Sequence, residues 1–366
     1  MVKSAVKTYL KIRPCSDSDA SLQVLEDGKT IKVTQIKDNE GRPNQNPSSQ
    51  SYQFKFDRVL KDASQEEVFE VCASDALRNA LDGFSSTIMS YGQTGAGKTY
   101  TISGGRGGFQ NRGLIPRVVS QLFTFLNDPS SPYYSAAATS PYQVQIQYFE
   151  IYNDNVYDLL DITTQSHEIT VFENARGSVQ VNGLRTPTVS TESEALSLMF
   201  EGETNRAVGE HQLNRLSSRS HCIFMIIITK GIGGAGGGER GGGERARAVK
   251  GEGAICARLA LVDLAGSERV AKTRSEGRVL REAGHINRSL SVLEQVIVGL
   301  AEKNRDHVPY RSSKLTHVLK NGLGGGCATI LIANVWAEAR HADETASTCR
   351  FASRMARVPC EPIVNE

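Results

Sequence analysis

The chain has 366 residues, with 42 Lys and Arg against 40 Asp and Glu and a formal charge of +2. That length supports a large buried core, and the near-neutral balance excludes a wholly polybasic or polyacidic chain. Seven cysteines, at 15, 72, 222, 256, 327, 349 and 360, show no C-x-x-C spacing, which argues against a disulfide frame or zinc site and fits a reducing cytosol.

Val6, Thr8, Leu10 and Ile12 alternate with Lys7, Lys11 and Arg13, which predicts a strand. Lys3, Lys7 and Lys11 also interrupt any signal segment. Residues 38–51 are rich in Asn, Pro and Ser and read as a loop, and 65–81 read as one helix. Thr87-Ile88-Met89 reads as a buried strand leading into Ser90–Thr99, then a helix interrupted by the Gly-rich residues 103–113 and resumed over 114–127. A strand follows at 143–151, a helix at 191–203 and a β-branched strand at 222–229. Residues 231–253 are mostly Gly with Glu, Arg and Ala, a composition that builds no core, so they read as a flexible loop between two strands. Ile286, Leu290, Leu293, Ile297 and Leu300 recur at helical spacing. The longest apolar-rich run, Ala328–Trp336, is far too short for a membrane span. Strands alternating with helices imply an α/β sheet covered on both faces.

Three segments carry the chemistry. Gly92-Gln93-Thr94-Gly95-Ala96-Gly97-Lys98-Thr99 fits the phosphate-cradling pattern G-x-x-x-x-G-K-[ST]. Its glycines let backbone N–H groups point at a polyphosphate, Lys98 reaches the outer phosphates, and the Thr99 hydroxyl suits Mg²⁺. In Leu259–Glu268 an apolar run ends in Asp263, as a strand does when it delivers a carboxylate toward Mg²⁺. Gly266 can bring a bare N–H to a γ-phosphate, although D-x-x-G also occurs in GTP-binding proteins. The third segment is Asn214-Arg215-Leu216-Ser217-Ser218-Arg219-Ser220-His221, a polar stretch in which Arg219 has the charge to pair with Glu268.

Taken together, these segments resemble the kinesin motor domain, in its order and spacing, over nearly the whole chain. Leu10-Lys11-Ile12-Arg13-Pro14 looks like its first strand, Tyr148 to Asp161 its strand-helix segment, and His285 to Leu290 the start of its relay helix. Val308 to Thr316 looks like its microtubule-facing loop and helix. Phe200-Glu201-Gly202-Glu203-Thr204-Asn205-Arg206 and the Phe351-to-Met355 and Glu361-to-Glu366 peptides are similar to the ninth family, of cilia and flagella.

The resemblance implies a P-loop α/β motor fold with a central, mostly eight-stranded mixed sheet. Residues 1–357 would form the motor and 358–366 the start of a neck linker, with motor placement implying plus-end-directed force. ATP or ADP with Mg²⁺ would be held by residues 92–99 and by Arg13, Pro14 and Tyr100 around the adenine. Thr99 and Ser218 would ligate the metal, with Asp263 acting through water. Ser217 and Gly266 would sense the γ-phosphate, and Glu268 paired with Arg219 would relay the water's proton. Lys11 stands where many kinesins carry Arg, which weakens a planar stacking contact.

Charge points to the partner. Residues 269–320 hold eleven Lys and Arg against five Asp and Glu. Such a cluster suits an acidic partner surface, and the resemblance names that partner as tubulin, so that Lys272, Arg274, Arg278, Lys303, Arg305, Arg311, Lys314 and Lys320 would face microtubules. No basic-aromatic reader pattern points to nucleic acid. The expected setting is the cytoskeleton of the cytoplasm, in a cilium or flagellum axoneme, with no membrane contact and with dimerisation only through segments outside these residues. Alternatives are a microtubule-regulating ATPase that does not step, a GTP switch, which the lack of an N-K-x-D motif disfavours, and an adaptor without catalysis.

Overall fold

A computed structural model describes residues 4–15, 21–37, 48–105, 107–134, 142–175, 177–213, 217–231, 254–268, 278–302, 307–324 and 326–364. In chain order the elements are β1 (Ser4–Ala5), β2 (Lys7–Arg13), β3 (Leu22–Val24), β4 (Thr30–Lys37), β5 (Ser48–Lys55), β6 (Arg58–Lys61), α1 (Gln65–Cys72), α2 (Ser74–Leu81) and β7 (Ser86–Gly92). Next come α3 (Lys98–Ile102), α4 (Leu114–Asn127), β8 (Tyr142–Tyr152), β9 (Asn155–Asp158), β10 (Thr170–Glu173), β11 (Val179–Asn182), β12 (Thr188–Val189) and α5 (Glu192–Leu213). The second half holds β13 (His221–Lys230), β14 (Ile255–Asp263), α6 (Arg278–Ala301), α7 (Lys314–Val318), β15 (Ala328–Trp336), α8 (Ala342–Met355) and β16 (Pro359–Cys360).

Eight strands lie side by side in the order β12-β8-β13-β14-β7-β15-β2-β6, and β9 folds back on β8. The run from β14 to β6 is parallel, whereas β12, β8 and β13 are antiparallel to their neighbours. This is the mixed sheet expected. Its apolar runs feed two cores by strict alternation. In β14, Leu259 and Leu261 join the core under α1, α2, α4 and α5. Ala260 and Val262 join the core under α6, α7, α8 and the β4–β5 hairpin. A strand buried on both faces reads as continuously apolar, which is why β14 stood out in the sequence.

Several boundaries differ from the sequence reading. Residues 65–81 form two helices, because Ala73 leaves helical geometry at φ −125° while its N–H still bonds the Phe69 carbonyl. Residues 48–51 are not loop but pair with 34–37. The helix expected to stop at Glu203 continues to Leu213. The stretch 148–161 is a hairpin rather than a strand and helix. Asn153 and Asp154 turn it with φ of 50° and 59°, a conformation Asn and Asp tolerate.

The opening residues give the 358–366 segment a strand to pair with. Ser4 pairs with Cys360 and Ala5 with Pro359, and the Val6 N–H donates to the Val358 carbonyl at 3.1 Å. Val358 is fully buried. Pro359 and Pro362 have no N–H to give, so a further bond comes from Ile363, whose N–H reaches the Gly326 carbonyl at 3.1 Å. No helix among the described residues is long and apolar enough to cross a membrane.

Candidate nucleotide site and microtubule face

The parallel ladder sets Asp263, the last residue of β14, beside Ser90 of β7, so the carboxylate and the phosphate loop share the sheet's C-terminal edge. Gly92 ends β7 at φ 146°, and a Cβ there would lie 2.1 Å from the Asn334 carbonyl oxygen. Only glycine lets the chain leave β7 so close to β15. Lys98 and Thr99 then open α3. The buried Lys98 ammonium donates to the Gln93 carbonyl at 3.0 Å. Burial lowers its pKa against the pull of Asp263 and Glu268. The Thr99 hydroxyl donates to Asp263 Oδ2 at 2.7 Å.

Asp263 is 3% exposed, and its Oδ1 has no hydrogen-bond partner among the described residues. Burial raises its pKa, opposed by Arg206, the Thr99 bond and Lys98. Arg206 of α5 approaches Asp263 Oδ2 at 3.6 Å and Glu150 of β8 at 3.8 Å. Beside it Glu203 accepts from the hydroxyls of Ser103 and Tyr148. Sequence reading missed this buried charge cluster. The signal was present, because Glu150 sits in an apolar strand, flanked by Phe149 and Ile151. Arg206 carries no such signal beyond its place in the 200–206 peptide.

The segment after β14 is tied down residue by residue. Leu264 N–H bonds the Ser90 carbonyl at 3.2 Å, and Ser267 N–H bonds the Gly92 carbonyl at 3.1 Å. Ala265 N–H donates to His221 Nδ1 at 3.0 Å, so Nε2 carries the ring proton and donates to Ser289 Oγ at 2.8 Å. The expected bare N–H of Gly266 is engaged instead, bonding the Ser218 carbonyl at 2.9 Å. Thus the 3₁₀ turn Ser217–Arg219 rests on this segment. A Cβ on Gly266 would meet Thr94 Oγ1 at 2.3 Å and Glu268 at 2.5 Å, so a larger residue there would displace these side-chain oxygens. Glu268 faces the phosphate loop, where its carboxylate takes the Thr94 N–H at 2.8 Å and the Thr94 hydroxyl at 2.5 Å.

The adenine-side residues separate. Arg13 donates to the Gly95 carbonyl and lays its guanidinium over Trp336, 4.2 Å from the ring centroid. Pro14 is exposed just past β2, and Tyr100 is 41% exposed on α3. Lys11 does not join them at the surface. It is buried and bonds Gln65 and Thr101.

On the basic face, Ser313 caps α7 by accepting from Thr316 N–H at 3.1 Å. Arg311 and Lys320 converge on Glu173 of β10, at 3.1 and 2.7 Å, and His317 lies 3.5 Å from the same carboxylate. Lys314 N–H bonds Asp154 at 2.7 Å. Lys272, Arg274, Lys303 and Arg305 lie outside the described residues, as do Asn214, Arg215, Leu216 and 232–253. Arg278 is placed by its backbone alone, at the start of α6.

The chain matches the kinesin motor domain family over residues 11–358. It belongs to that family. It is 43% identical over its whole length to the Kinesin-like protein KIF9 of Mus musculus and 41% identical to the Kinesin-like protein KLP1 of Chlamydomonas reinhardtii, spanning 44% of each. It is 37% identical to the human Kinesin heavy chain isoform 5C, over 99% of the chain and 34% of that protein. The solved structure of a fast kinesin superposes with a TM-score of 0.80 at 34% identity, covering 99% of this chain and 94% of that one. Kinesin motor domains are microtubule-stimulated ATPases, and this chain carries that domain.

Proposed function

We propose that the kinesin chain hydrolyses ATP by in-line attack of water on the γ-phosphate and converts it into plus-end-directed force on microtubules, in cilia or flagella. The observation that carries the chemistry is the Thr99–Asp263 pair. One carboxylate oxygen holds the loop hydroxyl, and the other is buried without a hydrogen-bond partner among the described residues. A buried carboxylate oxygen without a partner is costly unless a ligand satisfies it, and this donor set fits Mg²⁺ and its waters. Thr99 and Ser218 would hold that ion and Asp263 its water; bound there, it would offset phosphate charge.

The residues divide the remaining tasks. Lys98 turns its ammonium from the Gln93 carbonyl to the outer phosphates, while the N–H groups of residues 92–99 cradle them. Ser217 and Gly266 contact the γ-phosphate and the attacking water. Glu268 exchanges Thr94 for Arg219 and takes the water's proton onward. Arg13, Pro14 and Tyr100 frame the adenine, with Tyr100 stacking on the base.

Force is read from β16. Residues 1–357 act as the motor and 358–366 as the start of a neck linker, whose pairing with β1 supports a stroke along the core. The ciliary setting is supported by the peptides similar to the ninth family. ATPase assays with gliding of polarity-marked microtubules test the reading. Stimulated turnover without gliding would favour a regulator that does not step, and minus-end gliding would refute the stated direction.

A further inference from the structure

Trp336 closes β15 and is the one tryptophan of the chain. The parallel register sets it beside Arg13 of β2. Two planar groups pack on its indole. The Arg13 guanidinium lies 4.2 Å from the ring centroid, and the His341 imidazole stacks at 5.0 Å with 25° between the planes. His341 is the residue before α8, where its N–H bonds the Glu338 carbonyl at 3.0 Å. Thr345 of α8 donates its hydroxyl to the Trp336 carbonyl at 3.0 Å. The end of β15 and the start of α8 are therefore fixed to each other.

All three side chains of this cluster also reach the phosphate loop. Arg13 donates to the Gly95 carbonyl, and the Gln93 side-chain amide meets His341 Nδ1 at 2.9 Å. Trp336 packs on the loop directly, since a Cβ on Gly95 would lie 3.2 Å from Cζ2 of the indole. Two further side chains bond this part of the loop, Lys98 at the Gln93 carbonyl and Glu268 at Thr94. The proposed reaction takes both of them away, Lys98 to the phosphates and Glu268 to Arg219. Trp336 and His341 have no part in that exchange, so their hold on Gln93 and Gly95 persists while the other two let go.

We propose that Trp336 and His341 are positioning residues for the nucleotide's phosphates, bracing Gln93 and Gly95 so that the loop's N–H groups stay aimed inward through the exchange. The inference rests on the reading above that residues 92–99 cradle the phosphates. A loop already held in its bound shape has less freedom to lose on binding, so removing the brace weakens the complex. The brace acts on the loop, and its effect falls equally on any bound diphosphate, with or without a base.

The test is equilibrium binding of ADP and of inorganic pyrophosphate, each with Mg²⁺, followed by calorimetry, with Tm measured alongside. The proteins are wild type, His341→Ala, Trp336→Leu, Trp336→Phe and Lys98→Ala. His341→Ala and Trp336→Leu should each weaken both ligands by the same factor, about 3- to 10-fold, the scale of one hydrogen bond or one cation–π contact. Trp336→Phe keeps an aromatic face for Arg13 and His341 and should stay within about twofold of wild type. A cluster with a purely structural role would lower Tm and leave both affinities unchanged, and that result overturns the inference. So does a loss confined to ADP, which would take the effect off the loop. Lys98→Ala should weaken both ligands by at least about 10-fold, as expected for a charge-assisted contact to phosphate. Wild-type affinity in that variant overturns the phosphate reading itself, and the inference with it. His341 is only half-buried, so His341→Ala decides the matter even if Trp336→Leu fails to fold.

Discussion

Glu268 bonds Thr94 twice, through the backbone N–H at 2.8 Å and the hydroxyl at 2.5 Å. The segment after β14 thereby holds the phosphate loop through the very carboxylate proposed to pass on the water's proton. Any exchange of Glu268 toward Arg219 must break both bonds, so the two positions compete for one carboxylate.

Glu268→Ala and Arg219→Ala should each lower microtubule-stimulated turnover by at least about 100-fold while leaving ADP binding within a few-fold. That is the scale of losing a group that acts on transition-state charge. The double variant should be little worse than either single one, because the pair acts as a unit. Steady-state ATPase and nucleotide titration measure both, and near-normal turnover in either single variant would rule out the assigned role.

Glu173 already occupies two cations of the basic face. Glu173→Gln should free Arg311 and Lys320 and lower the microtubule concentration for half-maximal ATPase by about 2- to 5-fold, as expected for exposed ion pairs. Reversing Arg311 and Lys314 to Glu should raise it, more so at low salt. Unchanged values in both would place the microtubule face elsewhere.

His317 shares the Glu173 carboxylate with Arg311 and Lys320, at 3.5 Å. Burial lowers its pKa, with Arg311, Lys314 and Lys320 adding to the effect against Glu173. The ring therefore takes up its proton only at lower pH than an ordinary histidine. Co-sedimentation should show no change attributable to it between pH 6.5 and 8, and His317→Gln should match wild type across that range.

His221 should make the fold acid-sensitive. Burial lowers its pKa to about 3, with Lys98 and Arg206 contributing. The unfolded chain takes up this proton below about 6.5 and the folded chain does not. The contribution is thus complete above pH 6.5 and declines by about 1.4 kcal/mol per unit toward pH 3. Urea midpoints should fall between pH 6.5 and 5, and His221→Gln should flatten that slope. An identical slope in the variant would show that other groups dominate.

Lys230 and Ile255 are direct partners in the β13–β14 ladder, so the strands already meet where the Gly-rich residues 231–253 connect them. Replacing that tract with an Asn-Gly turn should keep basal ATPase within about twofold, since shortening a loop changes little free energy. Loss of folding would reveal a packed role for the tract. Val358→Gly should nearly stop gliding yet spare ATPase, because it empties a fully buried anchor of the 358–366 segment. Full gliding speed would remove that segment from the stroke.

The glycine-rich loop of residues 92–99, the strand that ends in Asp263, and the two-sided sheet are all legible in the amino-acid sequence. Each is written in short-range patterns: fixed glycine spacing, an apolar run ending in a carboxylate, and alternation along strands. Which groups meet across long separations follows from the packing of the whole chain. Arg206 comes against Asp263 and Glu150, Glu268 onto Thr94, Lys11 beneath α3, and β1 beside β16. These contacts depend on strand order and helix placement, which local periodicity does not encode. Lys11 shows the physical reason most plainly. Its residue type favours solvent, and only the packing of α1 and α3 over β2 supplies the two oxygens and the aromatic ring that hold an ammonium inside.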